Sequence, residues 1–354
     1  PSKEYELIRR IQAVLPPVNP QTPYEEAIGD DAAVRVNRVA GERLVITADV
    51  AVENVHFSLL SMTLEEIGYR SMAANLSDCA AMGADPDSAV VQIVFPKKCG
   101  RGINPNPNAN GCGVDIGESI ERIYAGFAMA CKMWDFPIVG GDLSAGGAWV
   151  IGITLIGSIP PDNRAVTRAG IKDGDALWIT GSPGESAAGL AAIRRWGRAG
   201  VPPRYKRFVD AHVSPSPRVA EGKLLAAEPP VRSMMDLSDG LSKDVATLCF
   251  DNRLGFIFDC GADKRVPPEM VSLANELGSD YKEWFYHGGE EYELLAACDE
   301  SFDPNGINGI AAAGRELIRL GHFTSKSPKV LIQRGNGSTE ELPRMGWDHC
   351  SPFP

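Results

Sequence analysis

Pro137-Ile-Val-Gly-Gly-Asp142 is an apolar run that ends abruptly in two glycines and an acid. A short Val/Ile segment stopped by Gly-Gly reads as a buried strand entering a tight turn, with the aspartate presented at the strand's end. Glycine there admits a positive φ and a close approach by a ligand. The same grammar recurs upstream in Ala27-Ile-Gly-Asp-Asp31 and Leu44-Val-Ile-Thr-Ala-Asp49. It recurs downstream in Ser233-Met-Met-Asp-Leu-Ser-Asp-Gly240 and His287-Gly-Gly-Glu-Glu-Tyr-Glu293. Acids at the ends of several strands predict one polyanionic pocket, which mutual repulsion makes unstable without cations.

The bulk properties narrow the choice. A chain of 354 residues is long enough for two domains, each with its own core. A net charge of −11 argues against a nucleic-acid partner. Nucleotides stay in play, because bound divalent cations invert local electrostatics. Eight cysteines occur without a CxxC pair, which excludes a zinc ribbon or a thioredoxin motif. Cys79, Cys131, Cys249 and Cys298 lie in apolar contexts and read as buried free thiols. Cys99 and Cys112 flank a Gly/Asn/Pro loop and are placed to bridge, but the scattered pattern favours a reducing cytosol. No apolar run is long enough to span a bilayer and the first residues lack a signal-peptide core, so the expectation is a cytoplasmic protein with no membrane partner.

Along the chain, residues 3–15 have apolar residues at helical spacing and are stopped by Pro16-Pro17. Arg43 to Ala48 reads as a strand delivering Asp49. Residues 63–84 form the longest helical candidate, opened by Thr63 with Glu66 three residues on, a capping box. Asn75 and Asp78 share a face near its C-terminal end, where the helix dipole disfavours an acid. Asp78 therefore calls for a metal or a basic partner, unless it is simply solvated. Residues 88–95 read as a strand, 97–113 as an exposed insertion, about 115–134 as a helix and 148–159 as a strand. Pro160-Pro161 marks a boundary, dividing the chain into domains 1–159 and 160–354. In the second half, strand 176–180 leads into a glycine-rich turn, Gly181 to Gly189, which is neither a Walker A loop nor GxGxxG. Its small residues suit either a helix N-terminus approaching phosphate or tight helix packing. A helix runs through Leu225, strand 233–236 delivers Asp236 and Asp239, and 255–259 and 293–298 are further strands. Alternating strands and helices argue for α/β or α+β domains.

Taken singly, these acids read as caps and turn residues. Taken jointly they read as a site. Carboxylates suit hard cations, and magnesium is typically held by carboxylates together with substrate phosphates. Five histidines with no paired spacing give zinc little support. A carboxylate cluster without a P-loop or a Ser/His/Asp arrangement points to phosphoryl transfer by positioning and charge neutralisation, with metals bridging ATP and an anionic acceptor.

The run of Gly29-Asp-Asp31, Thr47-Ala-Asp49, Val55-His56-Phe57 and Asn75-Leu-Ser-Asp78-Cys-Ala-Ala-Met-Gly83 resembles the thiamine-monophosphate kinase family. So do Gly140-Gly-Asp142, Thr167-Arg-Ala-Gly170, Met235-Asp-Leu-Ser-Asp-Gly-Leu241 and Gly288-Gly-Glu-Glu-Tyr-Glu-Leu294, in the same order over nearly the whole chain. The resemblance implies the two-domain α/β (α+β) fold shared with aminoimidazole ribonucleotide synthetase and selenophosphate synthetase. In that fold the N-terminal domain forms a dimeric β-barrel and the C-terminal domain covers the nucleotide cleft. It implies a homodimeric enzyme that phosphorylates thiamine monophosphate from ATP with several Mg²⁺ ions. By motif, Asp31, Thr47, Asp49, Asp78, Asp142, Asp236 and Asp239 look like metal ligands, with Asp142 and Asp236 central to catalysis. Tyr124, Gly141, Arg168 and Ser238 look like ATP contacts, and His56, Glu290 and Trp347 like contacts to thiamine phosphate. On the residues alone, Trp347 is equally readable as an anchor of the tail, and His56 as a satisfied polar core histidine. The acceptor is itself anionic, so no general base is needed.

Departures from the family pattern are specific. Ala48 stands where a second hydroxyl is usual before Asp49, Glu291 replaces an aspartate, and Leu143-Ser144 follows Gly-Gly-Asp where threonine is common. None removes a core carboxylate. Other ATP-dependent members of the superfamily fit less well: selenophosphate synthetase needs a reactive Cys in an N-terminal glycine-rich segment, whereas the first cysteine here is Cys79. A non-catalytic nucleotide-binding scaffold is opposed by the intact acids, since unused clustered carboxylates only cost stability.

Overall fold

The computed structural model describes residues 10, 11, 13–15, 24–26, 34–35, 41–97, 115–307 and 316–347. Asp30, Asp31, Cys99, Cys112 and most of the 97–113 insertion lie outside them. Chain contacts divide the protein into two units, residues 1–79 with 85–162, and residues 80–84 with 163–354. Of the helix expected over 3–15, residues 10, 11, 13 and 14 are helical, Leu15 is a bend, and the rest lie outside the described residues.

The first unit contains a short pair, β1 (Tyr24–Glu26) and β2 (Val34–Arg35), and then β3 (Arg43–Val52), α1 (Leu64–Ala81) and β4 (Asp85–Pro96). It continues with α2 (Ile116–Trp134), β5 (Ile138–Gly146) and β6 (Val150–Ile159). Four strands form a sheet in the order β3-β6-β4-β5, antiparallel except for the parallel pair β4/β5. Register sorts their side chains by face. Asp49 stands opposite Ile153 and Ile153 opposite Val91, and both aliphatic residues are buried. Thr47 lies two residues before Asp49, on the same face, and bonds to Asp78 of α1, so the helical layer covers that side.

β3 runs through Asp49 to Val52. One expected strand end proves to be mid-strand: β5 passes straight through Gly140-Gly141 to Gly146. The glycines do not stop the strand. A Cβ on Gly141 would sit 2.1 Å from the Val91 carbonyl oxygen, so glycine there serves the close pairing of β5 with β4. The capping box is as expected: the Thr63 N–H donates to Glu66 Oε2 at 2.9 Å and the Glu66 N–H to Thr63 Oγ1 at 3.2 Å.

The second unit contains β7 (Ala176–Ile179), α3 (Glu185–Trp196), α4 (Lys206–Val213), α5 (Val219–Ala227), β8 (Val231–Leu237) and α6 (Leu241–Asn252). Then follow β9 (Gly255–Phe258), α7 (Pro268–Leu277), α8 (Tyr281–His287), β10 (Glu293–Cys298), β11 (Ile318–Thr324), β12 (Val330–Gln333) and β13 (Thr339–Glu341). Its seven strands are ordered β13-β12-β9-β11-β7-β10-β8, with β12/β9 the parallel pair. The architecture is two-domain α+β with mixed sheets. Edge-to-face rings, Phe256 with Phe258 at 4.8 Å and with Phe323 at 5.0 Å, fill the core of this sheet. Cys79, Cys131, Cys249 and Cys298 are buried free thiols, and burial pushes the first three up to about 12, beyond easy ionisation.

In the first unit, α1 and α2 cross through glycine. A Cβ on Gly126 would lie 2.0 Å from the Glu65 carbonyl oxygen, and one on Gly68 2.0 Å from that of Ile123. Backbone cannot yield as a side chain does, so Gly126→Ala should cost roughly 3 kcal/mol or more and lower the unfolding temperature by several degrees. Thermal unfolding of the variant checks this; an unchanged midpoint would mean the helices separate freely.

Candidate active site

In the first unit the structure brings Thr47, Asp49 and Asp78 together. The Thr47 hydroxyl donates to Asp78 Oδ2 in a short hydrogen bond. Asp49 keeps one side open to solvent, while the protein atoms around its carboxyl, and then the negative Asp78, push it up to about 6. Two acids and a hydroxyl from a strand and a helix thus make an all-oxygen donor set under like-charge strain, which suits a hard cation.

Asp142 is not brought to them within this unit. It stands opposite Gln92, which stands opposite Gly152, which stands opposite Val50, one row along from Asp49 and therefore on the other face. β3 and β5 are the two edges of the sheet, three strand spacings or roughly 14 Å apart. Asp142 is exposed and accepts from Ser144 Oγ at 2.8 Å, so the serine that replaces the usual threonine still supplies a hydroxyl. Among the described residues no group of three or more His, Cys, Asp and Glu side chains is close enough to hold a metal ion. Asp31 lies outside the described residues.

In the second unit Asp236 is buried on β8, opposite Leu294. After it the chain turns through Ser238-Asp239-Gly240 into α6. The N–H groups of all three residues converge on Asp244 Oδ2, at 3.2, 3.1 and 3.2 Å. Consecutive amides pointing inward form an anion-binding nest, and here the anion is the protein's own. Burial, then the charge of Asp239, raises the Asp244 carboxyl to about 7. Sequence reading missed Asp244; its signal is an acid in the first turn of a helix opened by glycine.

The loop from His287 to Glu293 is clamped onto this turn. The Glu290 N–H donates to the Ser238 carbonyl at 2.6 Å and the Tyr292 N–H to that of Leu237 at 2.9 Å. Glu290 and Tyr292 both hold the left-handed conformation, with φ of 63° and 53°. Between them Glu291 turns inward, and both its oxygens accept from the Ser186 N–H at the start of α3, at 3.1 and 3.2 Å. That contact decides what the glycine-rich turn is for. Its helix N-terminus already holds a carboxylate, and a Cβ on Gly189 would lie 1.9 Å from the Phe208 carbonyl oxygen. The turn serves packing. Glu293 is equally internal, accepting from Thr180 Oγ1 at 2.6 Å and from Arg218 Nε at 2.6 Å.

The remaining expected residues fall as follows. His56 follows β3 in a turn and its Nδ1 accepts the Val52 N–H at 3.0 Å, which leaves the proton on Nε2. Tyr124 is buried in α2, edge-on to Phe127 at 5.2 Å, and burial raises its phenol. Arg168 is exposed, and among the described residues no carboxylate pairs with it. Trp347 is half-buried, its N–H donating to the Asp239 carbonyl at 3.0 Å. Asp236, Ser238, Asp239, Glu290 and Trp347 all belong to the second unit, and contacts tie the last four into one cluster.

Comparison with known proteins finds matches in both units. The AIR synthase related protein N-terminal domain matches residues 29–159, and the corresponding C-terminal domain matches residues 172–331. The thiamine-monophosphate kinase of Synechococcus elongatus is 33% identical over 291 residues, 80% of each chain. Among solved structures, the thiamine-monophosphate kinase of Stenotrophomonas maltophilia K279a is similar with a TM-score of 0.77 at 25% identity, covering 93% of this chain and 96% of that one. A second, AaThiL complexed with AMPPCP and TMP, is similar in fold with a TM-score of 0.72 at 23% identity, covering 98% and 96%.

Burial, opposed by the Ser186 N–H and reinforced by Glu185 and Glu293, holds the Glu291 carboxyl well above its ordinary 4.5. The native chain then binds more protons than the unfolded one above that pH, so this group's contribution to stability falls as pH rises through the window. Glu291→Gln, neutral throughout, should flatten the decline in stability as pH rises above 4.5. Urea unfolding across that range measures it, and an unaltered pH slope would defeat the assignment.

Proposed function

The chain belongs to the thiamine-monophosphate kinase family within the AIR synthase related proteins, and from that premise we propose how its residues divide the work. The enzyme phosphorylates thiamine monophosphate with ATP, giving thiamine diphosphate and ADP. Similarity to a thiamine-monophosphate kinase, 33% identical over four-fifths of the chain, carries this conclusion.

The acceptor is a phosphate monoester, anionic near neutral pH, so the chain has to position two anions and needs no base to make a nucleophile. Thr47, Asp49, Asp78 and Asp142 of the first unit and Asp236 and Asp239 of the second are assigned as Mg²⁺ ligands, with Asp31. The clustered oxygens of Thr47, Asp49 and Asp78, with the raised carboxyl of Asp49, support the assignment. When bound, Mg²⁺ neutralises phosphate charge and lowers the repulsion between donor and acceptor. Arg168 is exposed and its guanidinium fork fits phosphate oxygens, and we assign it, Ser238 and the Gly141 backbone to ATP. Tyr124, edge-on to Phe127 in α2, is assigned to ATP as well. His56, Glu290 and Trp347 are assigned to thiamine phosphate. Trp347 offers an indole face to the cationic thiazolium. We assign the protein to the cytoplasm, as an enzyme of thiamine diphosphate biosynthesis.

A homodimer is part of the reading. On the open face of the first sheet, Leu44, Ile46 and Val50 expose 50%, 68% and 55% of their surface in one stripe along β3. A row of large aliphatic side chains on an unpaired edge strand is an interaction surface. It supports the joining of two such sheets into a barrel.

Two experiments test the reading. Mg·ATP and thiamine monophosphate should yield ADP and thiamine diphosphate in equal amounts, lost with a chelator; Asp142→Asn should cut turnover at least about 100-fold while the fold is kept. Full activity in that variant would remove Asp142 from the machinery. Ile46→Asp should convert the dimer to monomer in sedimentation velocity, and an unchanged mass would place the interface elsewhere.

A further inference from the structure

The segment Met345–Gly346–Trp347 has no regular secondary structure, yet it is held at fixed points on the start of α6. Ser242 Oγ donates to the Met345 carbonyl at 2.6 Å and accepts the Met345 N–H at 3.2 Å. The Trp347 N–H donates to the Asp239 carbonyl at 3.0 Å. Lys243 Nζ lies 2.8 Å from Asp239 Oδ2 and also donates to the Trp347 carbonyl. His287 Nδ1 lies 2.8 Å from Ser242 Oγ. The Ser242 proton is committed to Met345, so Nδ1–H is the donor, and the loop that carries Glu290 is tied to the same serine.

Glycine at 346 is required twice over. Its φ is 135°, and a Cβ would stand 2.5 Å from the Asp239 carbonyl oxygen. Only without a side chain does the segment come close enough for Trp347 to bond. Lys243 then fastens the end of the segment: one ammonium with three donors spans a carboxylate and a carbonyl from chain segments more than a hundred residues apart.

None of this is needed to begin α6. The turn before that helix is already satisfied by Asp244, which accepts the amides of Ser238, Asp239 and Gly240. Lys243 is therefore spare for the helix and occupied by the strap.

We propose that Lys243 is a positioning residue for the acceptor end of the site. By bridging Asp239 to the Trp347 carbonyl it sets where the indole of Trp347 stands relative to Glu290, with Ser242 and Gly346 as the second fastening. The proposal rests on the kinase reading, in which Trp347 and Glu290 meet thiamine phosphate.

Steady-state kinetics of the full chain test it with Lys243→Met, which keeps the stem and removes the ammonium, and with Gly346→Ala, which leaves Lys243 intact and blocks the approach. Each should raise the KM for thiamine monophosphate about tenfold and leave the KM for ATP within about twofold. Lys243→Arg, which keeps a charged donor, should recover most of the loss. Hydrogen exchange of the Met345 and Trp347 amides should quicken in Lys243→Met, with the unfolding midpoint moved by no more than a few degrees. Unchanged KM values in both variants would overturn the proposal. So would equal rises in both KM values with a collapse of the midpoint, the mark of a merely structural lysine. A wild type that turned over ATP with no thiamine monophosphate would instead sink the kinase reading, and amide exchange alone would then judge the strap.

Discussion

One oxygen of Asp244 receives three consecutive backbone N–H groups, and the geometry of the second unit's site depends on that contact. Without it the turn Ser238-Asp239-Gly240 would carry three orphan donors beside a buried helix start. With it, the turn presents a fixed set of carbonyls. Ser238 accepts from Glu290, Asp239 accepts from Trp347, and segments far apart in sequence arrive at one place. A carboxylate held partly protonated by burial is tolerated because the amides it gathers would cost more if left unpaired.

Glu291 repeats the device at the start of α3. It closes the N-terminus of α3 and pulls the loop inward between two left-handed residues, leaving Glu290 outward. Backbone in that conformation is strained for a residue with a Cβ, and it persists where the surroundings over-determine it. The extra methylene by which Glu291 departs from the family's aspartate lengthens its reach toward the α3 amides.

The first unit follows a different logic. Its acids press on each other: the negative Asp78 of α1 raises Asp49 of β3, and the Thr47 hydroxyl, between strand and helix, donates to Asp78. The sheet that carries them is closed on one face by helices that cross at glycine, and on the other it leaves aliphatic side chains in the open.

The sequence by itself determined the α+β class, the Thr63 cap, the buried thiols and the family, because each depends on local spacing or on motifs kept in order. It located the acids that matter without showing how they are arranged. Gly140-Gly141 reads as a stop, but Gly141 lets two strand backbones meet, a fact that resides in Val91 some fifty residues away. Which face Asp142 takes follows from the register of β5 on β4, and a shift of one residue would reverse it. The functions of Asp244, Glu291 and Lys243 are invisible locally for the same reason. An acid or lysine in a helix or loop looks solvated until the tertiary structure brings amides and carbonyls from distant segments within hydrogen-bonding distance.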